Sequence, residues 1–178
     1  RLDRNRITNN LADFNGGALF INTSTGLLTN NLITNNTATQ RGGAIYSYSA
    51  PQILSNTIAY NKAGLEGGAL YLNGTSPCVS NSIFWGNMAS NPERLNQIYL
   101  FSEAADPDIS FCDIQGGQAG LGSGAGATFT GVYNANLDID PLFLNPPTGS
   151  GSFYVADETA FTLGSSSPCA DHGDPTSI

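Results

Sequence analysis

The sequence predicts an all-β fold, a right-handed single-stranded parallel β-helix: a solenoid that advances one coil per 25 or 26 residues. Three observations predict it. A Gly-Gly-Ala phrase followed by an apolar–aromatic pair occurs at Gly16-Gly17-Ala18, Gly42-Gly43-Ala44 and Gly67-Gly68-Ala69, in steps of 26 and 25 residues. A second phrase, Asn-rich around an isoleucine, repeats in phase at Ile7, Ile33, Ile58 and Ile83, in steps of 26, 25 and 25. Finally, the apolar runs are short, rich in β-branched and aromatic residues, and bounded by Asn, Gly, Ser and Thr. Such runs read as strands, and no long window carries a helical period.

Each unit is read as three short strands joined by tight turns. The glycine pair supplies positive φ or close backbone approach at a corner that recurs in every coil. In the strand that follows, Leu19, Ile45 and Leu70 are expected inside, with Phe20, Tyr46 and Tyr71 stacked along the outside. An isoleucine column of Ile7, Ile33, Ile58, Ile83 and Ile114 is expected in the core, the last after a longer step that places a loop in 88–97. Asn10, Asn36, Asn61 and Asn87 fall at the next turn, where Asn tolerates left-handed backbone. Stacked amides there can bond from coil to coil, which accommodates the chain's 19 asparagines in an ordered fold.

The coils are assigned to 1–117, a Gly-rich loop to 118–133 and a C-terminal cap, packed on the last coil, to 134–178. In the cap, either Leu142 and Leu144 or Phe143 would cover the last core layer, and 152–156 with 160–164 would form a short hairpin. Solenoids need such an atypical terminal unit. The first residues already belong to a repeat, so further N-terminal coils and a C-terminal anchor of a parent protein are expected partners.

Composition narrows the function. The chain is 40% hydrophobic but only 11% charged, with formal net charge −8. Five arginines and one lysine offer no basic patch for phosphates, which argues against nucleic acid and anionic membranes. No apolar stretch is long enough to span a bilayer as a helix. Low lysine with abundant Asn, Gly, Ser and Thr suits an extracellular, cell-surface location. Of the three cysteines, Cys112 and Cys169 are the favoured disulfide, against the alternative that the thiols simply pack as small hydrophobes.

Several parts resemble a known family. Asp140-Pro141-Leu142-Phe143 and Ser167-Pro168-Cys169-Ala170-Asp171, with the phrases around Ile83 and Ile114, resemble bacterial surface β-helix proteins that carry a choice-of-anchor Q module. The upstream repeats also resemble those of polymorphic outer-membrane autotransporter adhesins, with Ile where that family favours Phe. The resemblance implies a secreted, surface-anchored protein and carries no catalytic residues.

Two function classes follow. One is a non-catalytic structural or adhesive module, a rigid stalk whose wall binds a glycan or a host or neighbouring cell surface through Phe20, Tyr46 and Tyr71, with Tyr48 and Tyr60, the competing reading being that the aromatic stack simply stabilises the wall. The other is a polysaccharide lyase or glycoside hydrolase of the β-helix class. Hydrolysis needs paired carboxylates, and Asp106 and Asp108, at i and i+2, share a face if extended. The competing reading is a solvated acidic loop. Asp138 and Asp140 are candidates for calcium, the one cofactor considered, although Asp before Pro ordinarily makes a turn. His172, the single histidine, reads as a surface turn residue. A Thr8–Thr34 column, a candidate ice- or crystal-binding face, is interrupted by Ala59.

Overall fold

The computed structural model describes residues 1–90, 97–124, 126–157 and 159–176. Its corners explain its repeats. At one corner of every coil a residue with positive φ precedes a residue whose side chain turns inward. The positive-φ residues are Arg4, Asn30, Ser55, Asn81, Phe111 and Ala135, at 50–56°. Those that follow are Asn5, Asn31, Asn56, Ser82, Cys112 and Asn136. A second corner repeats the device with Asn9, Asn35, Tyr60 and Gly86 ahead of Asn10, Asn36, Asn61 and Asn87. Left-handed backbone costs a non-glycine residue on the order of 1 kcal/mol, and the inward amides offset it. Both the backbone N–H and Nδ2 of Asn36 donate to Asn61 Oδ1, at 2.9 and 3.0 Å, and those of Asn61 donate to Asn87 Oδ1, at 2.9 Å each. The asparagine expected to adopt the left-handed turn is thus the residue after it.

The glycine pair divides its work. Gly42 has φ +65°, while a Cβ on Gly43 would lie 2.2 Å from the Gly68 carbonyl oxygen and 2.6 Å from the Lys62 carbonyl carbon. The first glycine makes the turn, and the second lets adjacent coils touch.

Between corners lie four short strands per coil, one more than the sequence reading. They build parallel sheets of six, five, four and five strands. The first face runs from Leu2–Asp3 and Leu27–Thr29 to Asp108–Ser110 and Tyr133–Asn134. The second runs from Arg6–Thr8 to Asp113–Ile114, the third from Leu11–Ala12 to Met88–Ala89, and the fourth from Leu19–Ile21 to Gly122–Ser123. The third-face strands have two residues each, which is why they were missed. Leu28, Ile53, Val79 and Ile109 from the first face, Ile33, Ile58, Phe84 and Ile114 from the second, and Ile45, Leu70 and Ile98 from the fourth fill one core.

One column is corrected by register. Ile58 pairs with Phe84, and Ile83 pairs with Thr57 and Asp113. Phe84 therefore fills the core position assigned to Ile83, and Ile83 points outward. The Asn61–Asn87 ladder sets this 26-residue step.

The pairing also continues past Gly117. Gly122–Ser123 pairs with Tyr99–Leu100, and Tyr133–Asn134 pairs with Ile109–Ser110. Leu121, Phe129 and Tyr133 pack against the end of the core, and Ala127 belongs to it. Much of the stretch assigned to a Gly-rich loop therefore closes the solenoid.

The expected cap lies elsewhere. Residues 138–157 and 159–176 form a strap over the outer side of the second face. Ser150 Oγ donates to the Gly86 carbonyl, Gly151 N–H to that of Tyr60, and Ser152 N–H to Thr37 Oγ1. Asn9 Nδ2 reaches the carbonyls of Ser152 and Tyr154, and the Arg6 guanidinium those of Ala156 and Asp157. The strap thus descends from the fourth coil to the first. It then returns: Phe161 packs on Tyr60 and Phe143, and Asp174 N–H donates to Asn81 Oδ1. The reason is apolar surface. Leu32, Ala59, Ile83 and Trp85 project from this face and need cover, which Phe143, Ala160, Phe161 and Leu163 supply. Leu142 and Leu144 are exposed, and Phe143 and Leu163 share one isolated antiparallel bridge in place of the expected hairpin. Thr34 is completely buried, which removes the ice-binding candidate.

Candidate functional site

The aromatic column exists and is longer than predicted. Backbone register places Phe20, Tyr46, Tyr71 and Tyr99 on successive coils. Their rings stack at centroid separations of 5.2, 4.9 and 5.3 Å, with interplanar angles of 8, 12 and 13°. Tyr99 belongs to "QIYLF", which repeats "ALYLN" and could have been aligned from sequence.

Burial changes what the column can do. Tyr46, Tyr71 and Tyr99 are only 4, 1 and 2% exposed, whereas Phe20 is 53% exposed. Tyr46 is stacked between Phe20 and Tyr71, and Tyr71 between Tyr46 and Tyr99. Arg41 lies over Tyr71 at 5.7 Å and its Nε donates to Glu66 Oε2 at 2.9 Å. Burial raises the Tyr46 and Tyr71 phenols above the ordinary tyrosine value. Tyr46 and Tyr71, expected as ligand platforms, therefore lack a free face. Tyr60 packs against Phe161 of the strap.

The open aromatic surface lies one position further along the wall. The amides of Tyr48, Asn73 and Phe101 donate to Ile21, Ser47 and Leu72 respectively, which sets the three residues in one column on successive coils. Tyr48 is 46% exposed and Phe101 37%. Tyr48 packs edge-on against Tyr46 at 5.1 Å, and Phe101 lies 5.8 Å from Tyr71. Between them Asn73 Nδ2 donates to the Tyr46 hydroxyl at 2.8 Å. Two exposed rings thus stand two coils apart, about 9.5 Å at ordinary strand spacing, on a backing of stacked tyrosines. Phe101 was missed because its equivalent in the preceding coil is Asn73.

The carboxylate candidates are engaged by their own chain. Asp106 Oδ1 accepts the Thr130 and Gly131 amides at 2.8 and 2.7 Å, and Oδ2 accepts the Thr130 hydroxyl at 2.6 Å. These bonds, the hydroxyl first, hold its carboxyl below the usual range. Asp108 Oδ1 accepts the Val132 amide at 3.0 Å. The pair fastens the segment entering the last first-face strand. Asp138 Oδ1 accepts the Gly116 amide and Asp140 Oδ1 the Leu142 amide, the latter an Asx turn. Among the described residues, no three His, Cys, Asp or Glu side chains form a group that could hold a metal ion. Residues 91–96 of the loop expected in 88–97 lie outside the described residues.

The cysteines are free. Cys112 takes an asparagine's place in the first corner ladder, its thiol donating inward to the Ser110 carbonyl at 3.3 Å while its N–H donates to Asn136 Oδ1. Cys169 sits outside, its thiol donating to Asp113 Oδ2 at 2.9 Å. The wall separates the two sulfurs, so the favoured disulfide does not form. Burial pushes both thiols up to about 12. His172 meets the Ala135 carbonyl at 3.2 Å.

Coil repeat, corner ladders and parallel register together define a β-solenoid. The family model described as "Right handed beta helix region" matches residues 1–133, and the chain belongs to that family. Comparisons with curated proteins and with solved structures found no match.

Proposed function

We propose that the chain is a non-catalytic structural and adhesive module of a secreted bacterial surface protein, a rigid rod that offers one aromatic flank to an extended glycan. The exposed Tyr48–Phe101 column carries the proposal. Stacking on rings fixed by a hydrogen-bonded wall costs little side-chain entropy, and Asn73 between them supplies a polar contact to sugar hydroxyls. Phe20 extends the surface at the first coil. The resemblance to choice-of-anchor Q and autotransporter proteins supports the cell-surface setting. The alternative, a lyase or hydrolase using Asp106 and Asp108, draws no support from carboxylates already bonded to backbone amides.

The test is a binding and turnover panel of pectins, alginate, glycosaminoglycans and neutral oligosaccharides, with and without calcium. Binding without turnover is expected, and Tyr48→Ala and Phe101→Ala each weaken it about tenfold, equivalent to about 1.4 kcal/mol. Unchanged affinity in the double variant contradicts the proposed flank. Turnover abolished by Asp106→Asn contradicts the non-catalytic reading.

A further inference from the structure

The chain contains two Asn-Gly steps, Asn15-Gly16 and Asn73-Gly74. In such a step the backbone nitrogen of the glycine can attack the asparagine carboxamide, because no Cβ crowds the approach or restricts the backbone. The two steps are alike in chemistry and opposite in setting. Gly16 is buried at a corner of the wall. Its N–H donates to the Arg41 carbonyl at 3.0 Å, and Asn15 Oδ1 accepts the Arg41 N–H at 3.2 Å. The nitrogen and the carboxamide that would have to meet are thus both tied to the next coil. A Cβ on Gly16 would lie 2.3 Å from the Leu19 carbonyl oxygen, so the turn is also tightly closed. Asn73-Gly74 directly follows the fourth-face strand Leu70–Leu72. The Asn73 N–H donates to the Ser47 carbonyl and its Nδ2 to the Tyr46 hydroxyl at 2.8 Å. There the ladder stops. Gly74 is exposed, and its N–H has no hydrogen-bond partner among the described residues. A Cβ on Gly74 would meet only Ser102 Oγ, at 3.6 Å, so the bend has open space around it.

From this asymmetry we infer that Asn73 is a site of spontaneous deamidation in the folded protein and that Asn15 is protected from it. Solvent base removes the Gly74 amide proton, and the nitrogen attacks Asn73 Cγ. The new N–Cγ bond closes a five-membered succinimide as the Cγ–Nδ2 bond breaks, and Nδ2 leaves as ammonia. Water then opens the ring. Cleavage of the new N–Cγ bond gives aspartate, and cleavage at the former main-chain carbonyl gives isoaspartate. Either product places a carboxylate between Tyr48 and Phe101, in a column that carries no charge of its own. The Tyr46 hydroxyl, which accepts from the Asn73 amide, can donate to that carboxylate instead, so the aspartyl product keeps the contact. The isoaspartyl product also lengthens the main chain at the bend after Leu72. The conversion is independent of whether the aromatic flank binds a glycan.

The two steps serve as each other's control. The full chain is incubated in mildly alkaline buffer made with heavy-oxygen water, once folded and once in denaturant. Peptide mapping by mass spectrometry then follows both asparagines, with electron-transfer fragmentation to separate aspartate from isoaspartate. In the folded chain Asn73 should convert to both products, each carrying one solvent oxygen. Asn15 reacts only when its corner opens, so the ratio of the Asn73 rate to the Asn15 rate should be roughly tenfold or more above the ratio in denaturant. Raising the pH should speed the Asn73 reaction, since the attacking nitrogen must lose its proton. An Asn73 that stays intact in the folded chain while the denatured chain converts overturns the inference. So does a ratio of the two rates that is the same folded and denatured, because the structure would then select neither site.

Discussion

The wall and the strap are built on opposite principles. In the wall one residue's solution is reused on every coil: asparagine amides stack on asparagine amides, tyrosines on tyrosines, and a glycine on the coil beside it. The strap repeats nothing. It holds on by scattered hydrogen bonds and by Phe143 and Phe161 set against Tyr60, Ile83 and Trp85. A periodic structure spreads its stability over many equivalent contacts between neighbours. The strap depends on a few anchors and should come away first.

The contrast is broken most severely at the wall's closest approach. Gly43→Ala places a methyl group against the backbone of the next coil, so adjacent coils must separate. A loss on the order of 4 kcal/mol is expected, read as a lowered denaturant midpoint of the wall. Asn61→Ala comes next. It removes a buried amide that bonds to Ile33, Ala59 and Asn87 and leaves the Asn36 backbone N–H without its acceptor. About 3 kcal/mol is expected from such unpaired groups.

Phe161→Ala tests the other side. It should cost about 2–3 kcal/mol and appear as proteolytic cleavage within 138–176, with the coils still protected. A wall destabilised equally would show that strap and wall unfold as one unit.

These sites differ in how well the sequence announced them. The coils were legible because glycine and asparagine recur at fixed steps, and a recurring residue marks a recurring backbone need. Ile83 was misplaced because the fourth coil takes a 26-residue step and two apolar residues, Ile83 and Phe84, compete for one core position. The burial of Tyr46 and Tyr71 was illegible because it depends on Arg41, Tyr48 and Phe101 closing in from the sides. The strap's path was hidden for a related reason. It follows outward-facing apolar residues that belong to distant coils, and 138–176 carries no period of its own.

The smallest expected effect is on pH dependence. Asp113 is covered by the strap, and burial raises its carboxyl above the ordinary 3.8, despite bonds from the Cys169 thiol and the Ile139 amide. A raised folded value means tighter proton binding in the docked state. This contribution to strap docking is fully present below 3.8 and is lost as pH rises through the raised value. Asp106 slopes the other way. Its lowered carboxyl stabilises above 3.8, and that contribution is lost as pH falls through the lowered value. Asp113→Asn should flatten the first dependence and leave the strap slightly more firmly docked at neutral pH, measured by proteolysis rate against pH.

The chain carries its own reporters for the difference between wall and strap. Cys112 is buried in the wall's corner ladder, and Cys169 lies on the strap against Asp113. Pulsed thiol labelling across a denaturant titration, read by mass spectrometry, would follow both in one sample. Cys169 should become reactive at a lower denaturant concentration than Cys112, with Cys78, already exposed, labelled throughout. Cys112 and Cys169 becoming reactive together, or Cys112 first, would contradict the account of an independently releasable strap on a cooperative wall.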